Sequence, residues 1–548
     1  MSKLRIGLVV GPGGLKAWHE QVLTILDSHG EIDLLGVYTL PEEDRSDAGR
    51  ASRAHPSWQY LDRIETAVAR RLFKTPDALA PLDLSRVGEL PPRHDIVDLG
   101  NEAASVPIPD LLIQLDDFNV DPALAAKVDH GLWRLSFDGL NPPLAGIGVQ
   151  GWRRGQHVID VTLWQVGGPT KGEETSGIRC LIERAHLGVF KQSWSINRSR
   201  LLWKAALMIA DNAIRLATAT GFPGGSSGQL ASTDSPSPSM SAVDDAMPGA
   251  ASLGLLWLRR VVDHIWYKLV YVEQWQILAT ETADDMLKPE TYARLQPPKD
   301  RFWADPFAVR REDKDYIFVE ELRFTSGKGE IAVLEHRDGK LLDATTIITE
   351  PYHMSYPFVF EHDEDLYMVP ETRQNRSIEI WKNTSFPNEW TKVGSLMSDV
   401  SAGDTTLFRH DGRWWMFTNL SRTKRLRSAD ELHAFFTDDP SPLGATWQPH
   451  RQNPLVRDTR FARQGGRVFE DAQGRLIRCA QDTAVRYGYA VLFFHVEDLS
   501  PTSFTETLLH KAEPDWRDDV VGMHTFERRG DLCIFDACFM KTRLSTRF

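Results

Sequence analysis

Five short segments in the second half of the chain carry residues able to do acid–base chemistry at corresponding places. Three share one layout: ADPFAVRREDKDYIFVEE, SYPFVFEHDEDLYMVPE and GDTTLFRHDGRWWMFTN. In these, Asp305, Tyr356 and Asp404 each stand eleven residues before a second-strand centre, at Tyr316, Tyr367 and Trp415. Two weaker copies, RQGGRVFEDAQGRLIRCAQD and GMHTFERRGDLCIFDA, contribute Arg463 with Gln464, and His524. The second strands end on Glu320 and Glu321, Glu371, Asn419, Gln481 with Asp482, and Asp536. Converging carboxylates are what acetal chemistry needs: one activates a nucleophile, one protonates a leaving oxygen, a third tunes their pKa values. Asp305, Asp404 and Glu371 are therefore the candidate catalytic groups. Trp303, Tyr356, Arg463, Gln481, Asp482, Tyr487, His524 and Asp536 are candidates for substrate binding. The aromatic rings would offer flat faces to sugars. Arg463, near Arg478 and Arg486 in sequence, would suit a phosphate through paired hydrogen bonds. Trp414 or Trp415 reads as core, because its neighbours alternate across a strand.

These residues can meet only if the segments are hairpins of one closed structure. An antiparallel hairpin puts the start of its first strand and the end of its second at the same rim. The centres at 316, 367, 415, 477 and 533 recur every 48 to 62 residues, room for a four-stranded sheet each. That is the size of a propeller blade, so a five-bladed β-propeller is expected over 274–548, with the polar rims around a central funnel.

Upstream, LRIGLVV, a helix near 15–28, IDLLGVYTL, DLLIQLDD and HGLWRLSF alternate as strands and helices. The pattern predicts an open α/β sheet, Rossmann-like, over 1–190. The Gly-, Ser-, Pro- and Asp-rich stretch 221–251 has almost nothing to bury and is expected to be a disordered linker. Connecting helices are predicted at 199–219 and 252–272. Each has apolar residues at helical spacing with Arg and Lys opposite. They are expected to pack on each other or bridge the halves, with contact to a membrane surface as the alternative.

The chain has 548 residues and a formal charge of −13, which argues against nucleic acid as a partner. Its four cysteines are too scattered for a disulfide framework or a zinc knuckle. No metal motif is evident, and His524 with Asp536 and Asp482 reads as a hydrogen-bonded group. No apolar run reaches the ~18–20 residues of a membrane span, and MSKLRIGLVVGPGG lacks a signal-peptide cleavage region. The expected location is the cytoplasm, or the inner face of the membrane as a peripheral protein. The GPGG turn follows a strand and opens a helix, which makes the amides of Gly11, Gly13 and Gly14 candidate phosphate contacts. A purely structural turn is the competing reading.

FWADPF and GDTTLFRHDGRWWMF resemble the five-bladed propeller of glycoside hydrolase family 43. The resemblance implies a general base at Asp305 and a pKa-tuning carboxylate at Asp404. Where those hydrolases carry their general-acid Glu in a Glu-Gly-Pro context, this chain has ARQGGR, which speaks against simple hydrolysis. The ordered run HMSYPFVFEHDEDLYMVPE, NEWTKVG, GDTTLFRHDGRWWMFTN, RQGGRVF, LIRCAQD, YGYAV and GMHTF is similar to the N-terminal domain of plant glucosamine inositolphosphorylceramide transferases and its bacterial relatives. That implies glycan or glycolipid biosynthesis. The expected activity is glycosyl transfer from a nucleotide-sugar or phosphate-linked donor to a carbohydrate or glycolipid, with no further cofactor. A furanosidase-type hydrolase and a non-catalytic carbohydrate scaffold are the alternatives. The first 185 or so residues resemble the formyltransferase fold in the order of their patterns. The catalytic Asn, His and Asp that this resemblance implies fall on Arg134, Ser136 and approximately Thr175, so formyl transfer is not expected.

Overall fold

The computed structural model describes residues 2–11, 14–39, 56–83, 90–100, 106–116, 120, 122–140, 142, 144–167, 179–218, 249–282, 287–337, 340–423 and 430–546. They divide into two compact units that change over between Asp263 and His264. The predicted linker lies almost entirely outside the described residues, which resume at 249.

The first unit is built on one seven-stranded sheet. Its strands are β1 (Leu4–Val10), β2 (Ile32–Thr39), β3 (Arg93–Asp95), β4 (Leu111–Gln114), β5 (Leu132–Phe137), β6 (Val158–Val166) and β7 (Arg179–Gly188). They lie in the order β3-β2-β1-β4-β5-β6-β7. Pairing is parallel from β3 to β5 and antiparallel from β5 through β7. Helices shield the parallel part, so β1 and β4 read as near-continuous apolar runs. This is the expected Rossmann-like arrangement. Its longer helices include α1 (Ala17–Asp27), α2 (Pro56–Phe73), α3 (Val149–Arg154) and α4 (Trp194–Ala217), and α5 (Ala250–Val270) runs across the change-over between the units.

α4 corrects the expectation of a connecting helix at 199–219. It starts earlier, capped by the Ser193 hydroxyl, which accepts from the Ile196 amide at 3.1 Å. Nineteen of its 24 residues are buried, Arg198 and Lys204 among them. It packs against α1, α2, α3, β6 and β7. The Arg198 guanidinium is held by Asp62 at 2.9 Å and by the Ala145 carbonyl at 2.9 Å. Its Arg198, Arg200 and Lys204 are thus internal, and of the two helices predicted beside the linker α5 keeps an exposed apolar side.

The second unit is a five-bladed propeller. Blade 1 is Arg301–Arg311, Lys314–Arg323, Gly329–Arg337 and Lys340–Ile348; blade 2 is Ser355–His362, Asp365–Glu371, Ser377–Ser385 and Glu389–Ser398. Blade 3 is Ala402–His410, Arg413–Leu420, His433–Thr437 and Gln448–Pro449. In blade 4, Arg463–Gln464 and Phe469–Glu470 both pair with Leu476–Asp482, followed by Ala490–Leu499 and Phe504–Ala512. Blade 5 takes Val520–Gly522, Phe526–Arg529 and Leu532–Thr542 from the end of the chain, and Tyr271–Thr280 and Ala293–Leu295 from the start of the unit. Strand pairing between residues so far apart in sequence closes the ring. The Asp- and Gly-rich turns do what their composition suggests. Glu312–Asp313, Asp363–Glu364 and Asp411–Gly412 all have positive φ at both positions, the tight hairpin turn whose twist matches the strands.

Apolar layers between neighbouring blades hold the ring together, joining blades 1 to 3, 3 to 4, 4 to 5 and 5 to 1. A fully buried ion pair lies beside them. Arg478 donates twice to Glu506, at 2.7 and 2.6 Å, with both side chains fully buried. Removing one partner of such a pair strands a buried charge and costs about 3–5 kcal/mol, whereas replacing both with apolar groups is often neutral. Arg478→Met should therefore lower the chemical-denaturation midpoint of the propeller sharply, and Arg478→Met with Glu506→Leu should restore most of it.

Candidate functional site

The eleven-residue register has a structural cause. In blades 1, 2 and 3 the inner hairpin has a bulge at the same place, between Ala304 and Phe307, Ser355 and Phe358, and Gly403 and Thr406. Asp305, Tyr356 and Asp404 are the bulge residues, with φ of 53°, 48° and 48°. Positive φ in non-glycine residues costs about 1–3 kcal/mol each and concentrates at functional sites.

Two clusters form where these bulges meet blades 4 and 5. In the first, the His524 Nδ1 lies 2.5 Å from Asp536 and 3.7 Å from Asp305. Asp305 accepts from the Thr525 hydroxyl at 2.8 Å and the Tyr356 amide at 3.1 Å. In the second, Arg463 bridges two acids. It reaches Asp404 at 2.9 Å and Glu371 at 3.5 Å. The Gln481 amide holds the other Asp404 oxygen at 3.1 Å. Oε2 of Glu371 and Oε1 of Gln481 are buried without a hydrogen-bond partner.

Tyr487 links the clusters. Its ring is half exposed and lies 5.1 Å from the Arg463 guanidinium carbon and 5.7 Å, edge-on, from the His524 ring. His524 is sandwiched from another side by Trp275, stacked at 4.1 Å. Gly488, at φ 61°, makes this possible, because a Cβ there would stand 2.8 Å from Trp275 and 3.0 Å from His524.

Burial sets the protonation of these groups. It pushes the Asp404 carboxyl well above the usual range, helped by the charges of Glu371 and Asp305 and opposed by Arg463. Asp305 is raised by burial and by Asp536, with His524 opposing. Glu320 is raised well above its ordinary value by burial and then by Asp305 and Glu371. Burial alone would depress the His524 imidazole, but Asp536 and Asp305 outweigh it and raise its pKa.

The candidates chosen from sequence fall into three groups. Asp305, Asp404, Glu371, Arg463, Tyr487, His524 and Asp536 meet in the two clusters, and Gln481 joins them as a buried positioning residue. Trp303 and Tyr356 are corrected from sugar-stacking faces to core residues. Trp303 is 2% exposed and donates to Glu321 at 3.0 Å; Tyr356 is fully buried, its hydroxyl bonded to Thr406 and the Gly466 carbonyl. Asp482 turns away from the clusters toward Lys511, at 3.1 Å. The expected trio of arginines does not assemble either, since Arg478 is held by Glu506 and Arg486 by Glu273 at 2.6 Å.

Trp275, Thr525, Glu320 and His353 are functional candidates that were not selected from sequence. His353 accepts from the Gly329 amide on Nδ1, so its Nε2 carries the proton toward Glu320, 3.3 Å away. Glu320 had a signal, its place at a second-strand end, whereas Trp275 had none, because its strand joins the blade from the opposite end of the unit. Among the described residues, Asp305, His524 and Asp536 can each present one ligand atom within 4.8 Å of the others, but those atoms are already engaged with one another.

In the first unit, the Gly11 amide donates to Asp116 at 2.7 Å, and the same carboxylate holds Lys16 at 2.7 Å. The Gly14 amide closes the turn on the Gly11 carbonyl at 3.1 Å. Asp116 thus occupies the position a phosphate would need, in keeping with a structural turn. Gly13 lies outside the described residues. Ser136 accepts from the Trp164 indole at 2.8 Å, and Thr175 is also outside the described residues.

Residues 279–515 match the family described as glucosamine inositolphosphorylceramide transferase 1, N-terminal. The protein of that name from rice, Oryza sativa subsp. japonica, is 33% identical over 209 residues, covering 37% of this chain and 27% of that protein. The Arabidopsis thaliana protein of the same name is 30% identical over 209 residues, with the same coverage. The chain thus spans about a quarter of the length of the curated relatives it matches. Among solved structures, an α-L-arabinofuranosidase from Podospora anserina is 13% identical, covering 43% of this chain and 90% of that one, with a TM-score of 0.32. At that distance the likeness bears on neither substrate nor chemistry.

The raised Glu320 carboxyl gives the site a signed pH dependence. The folded state holds that proton more tightly than the unfolded chain, so this stability is lost as pH rises from the ordinary carboxylate range through the raised value. Glu320→Gln removes the loss while keeping an acceptor for His353. The variant should melt above the parent at about pH 8, by about 1 kcal/mol or more, and the gap should close toward about pH 4. Thermal melts across that range check it.

Proposed function

We propose that the propeller transfers a glycosyl group from a nucleotide-activated donor to a hydroxyl of a lipid-linked acceptor. The observation that carries this reading is two cations, Arg463 and His524, set against one half-exposed aromatic ring at the mouth of a carboxylate cluster. A sugar ring can lie on Tyr487 while a diphosphate meets the guanidinium and the imidazolium.

Neighbouring carboxylates decide whether those cations are available. Arg463 is shared between Asp404 and Glu371, and the longer contact, 3.5 Å to Glu371, leaves that edge of the guanidinium able to turn to phosphate oxygens. Asp536 and Asp305 favour the charged form of His524. In the transfer step the bond between the anomeric carbon and phosphate oxygen breaks, and its electron pair leaves on the diphosphate. The acceptor oxygen bonds to the anomeric carbon, and its proton passes to a carboxylate. Glu371 suits that role, since its Oε2 is held only by the long 3.5 Å contact to Arg463 and makes no hydrogen bond that would have to break first. Asp305 is the base that the hydrolase resemblance implied. Both its oxygens already accept hydrogen bonds, which fits a group holding Thr525 and Tyr356 in place. A lipid-linked acceptor is supported by the name of the plant relatives, glucosamine inositolphosphorylceramide transferase 1.

Glu371→Gln and Arg463→Ala should each lower nucleoside diphosphate release from a panel of nucleotide sugars by about 100-fold or more. Tyr487→Ala should act mainly by raising KM. Turnover unchanged in both of the first two variants, with melting behaviour preserved, would sink the assignment. Sugar release from aryl furanosides with no nucleotide donor would favour a hydrolase instead.

A further inference from the structure

α5 is apolar on two opposite sides, and only one of them is covered. On the covered side, Leu253, Leu256 and Trp257 pack with Trp58, Leu61, Trp152 and Trp194. Arg260, on that same side, donates to the Trp152 carbonyl at 2.7 Å and lies 4.4 Å over the Trp152 ring. The other side carries Leu255, Leu258, Val262, Ile265, Trp266 and Leu269, each between 52% and 70% exposed. At 3.6 residues per turn the six fall within one arc of about 100°.

The patch is large for a free surface. Its exposed area is on the order of 600 Å², at the top of the ~300–600 Å² range of the largest patch on an ordinary monomer. It falls short of the ~800 Å² per partner that a stable protein interface buries. Its surroundings are basic and aromatic. Arg259, which pairs with the exposed Asp263 at 3.8 Å, and Lys268 are exposed on the helix, and Arg543 donates to the Lys268 carbonyl at 2.8 Å. Leu544, 79% exposed, follows Arg543. Among the described residues no helix is long and apolar enough to cross a membrane.

We infer that the exposed face of α5 lies in the headgroup layer of an anionic phospholipid membrane. A continuous apolar arc bordered by cations, with a tryptophan within it, has the composition of a helix resting in the interface rather than spanning the bilayer. Leu253, Leu256, Trp257 and Arg260 anchor the first half of the helix to the first unit, so the outer six residues can enter lipid without those contacts being broken. The choice of a lipid surface over a protein partner rests on the lipid-linked acceptor proposed above, whose reactive hydroxyl sits at that surface.

Flotation of the full chain with vesicles tests this. The protein should float with vesicles of phosphatidylcholine mixed with phosphatidylglycerol, and less with phosphatidylcholine alone. The triple variant Leu258→Ser, Ile265→Ser, Trp266→Ser should lose binding by about tenfold or more while melting like the parent. The inference is overturned if the parent stays in the soluble fraction with both vesicle types, or if the triple variant floats equally well. A dimer seen in sedimentation that the triple variant dissociates also overturns it, by assigning the face to a second copy. Diphosphate release with a detergent-dispersed acceptor separates the two proposals. Release without flotation removes only the membrane contact, and flotation without release removes only the transferase reading.

Discussion

The carboxylate of Asp536 is the group on which the site depends. It is fully buried, and an ionised carboxylate without partners there would be very costly. It accepts from the His524 and Thr525 amides and the Asp305 amide, each at 2.9 Å, and from the His524 ring at 2.5 Å. Three of those donors belong to blade 5 and one to blade 1. The bond to Asp305 therefore staples the first blade to the last, beside the strand pairing that closes the ring. It also answers a local need. Asp305 sits in a bulge, where the regular ladder offers its amide no partner, and Asp536 supplies the acceptor.

The same device is repeated one blade on. Asp305, held by Asp536, accepts from the amide of the next bulge residue, Tyr356. Carboxylate and backbone thus alternate from blade 5 to blade 1 to blade 2. A second system, Asp404 and Glu371 around Arg463, joins blades 2, 3 and 4. Each acid that chemistry could use also holds two blades in register, so removing one acid should change geometry as well as charge. That is why the informative substitutions are isosteric amides.

Much of this was legible in the sequence, and the misses have physical reasons. The register of Asp305, Tyr356 and Asp404 could be read because hairpin turns and bulges of fixed length repeat in three blades. The direction of a side chain at a strand end could not. Gln481 and Asp482 are neighbours, so they face opposite ways, and one reaches Asp404 while the other reaches Lys511. Arg478 looked like a phosphate ligand by proximity in sequence, but three residues along a strand from Gln481 put it on the other face, against Glu506. Trp275 was invisible because the pairing that brings it to His524 spans the whole unit. The amphipathic pattern of α4 was real, but its polar face is buried by Asp62 and backbone carbonyls, which no periodicity reveals.

The bulge residue of blade 2 does a different job from those of blades 1 and 3. Blades 1 and 3 place an Asp at this position and blade 2 places a Tyr. Its hydroxyl crosses to Thr406 of blade 3 at 2.9 Å and to the Gly466 carbonyl of blade 4 at 3.1 Å, while the Gly466 amide donates back to it. That fully buried ring fixes blades 2, 3 and 4 about one point, whereas Tyr487, half exposed, stands beside both clusters next to Arg463 and His524. One aromatic side chain is thus spent on joining blades and the other is left open to solvent.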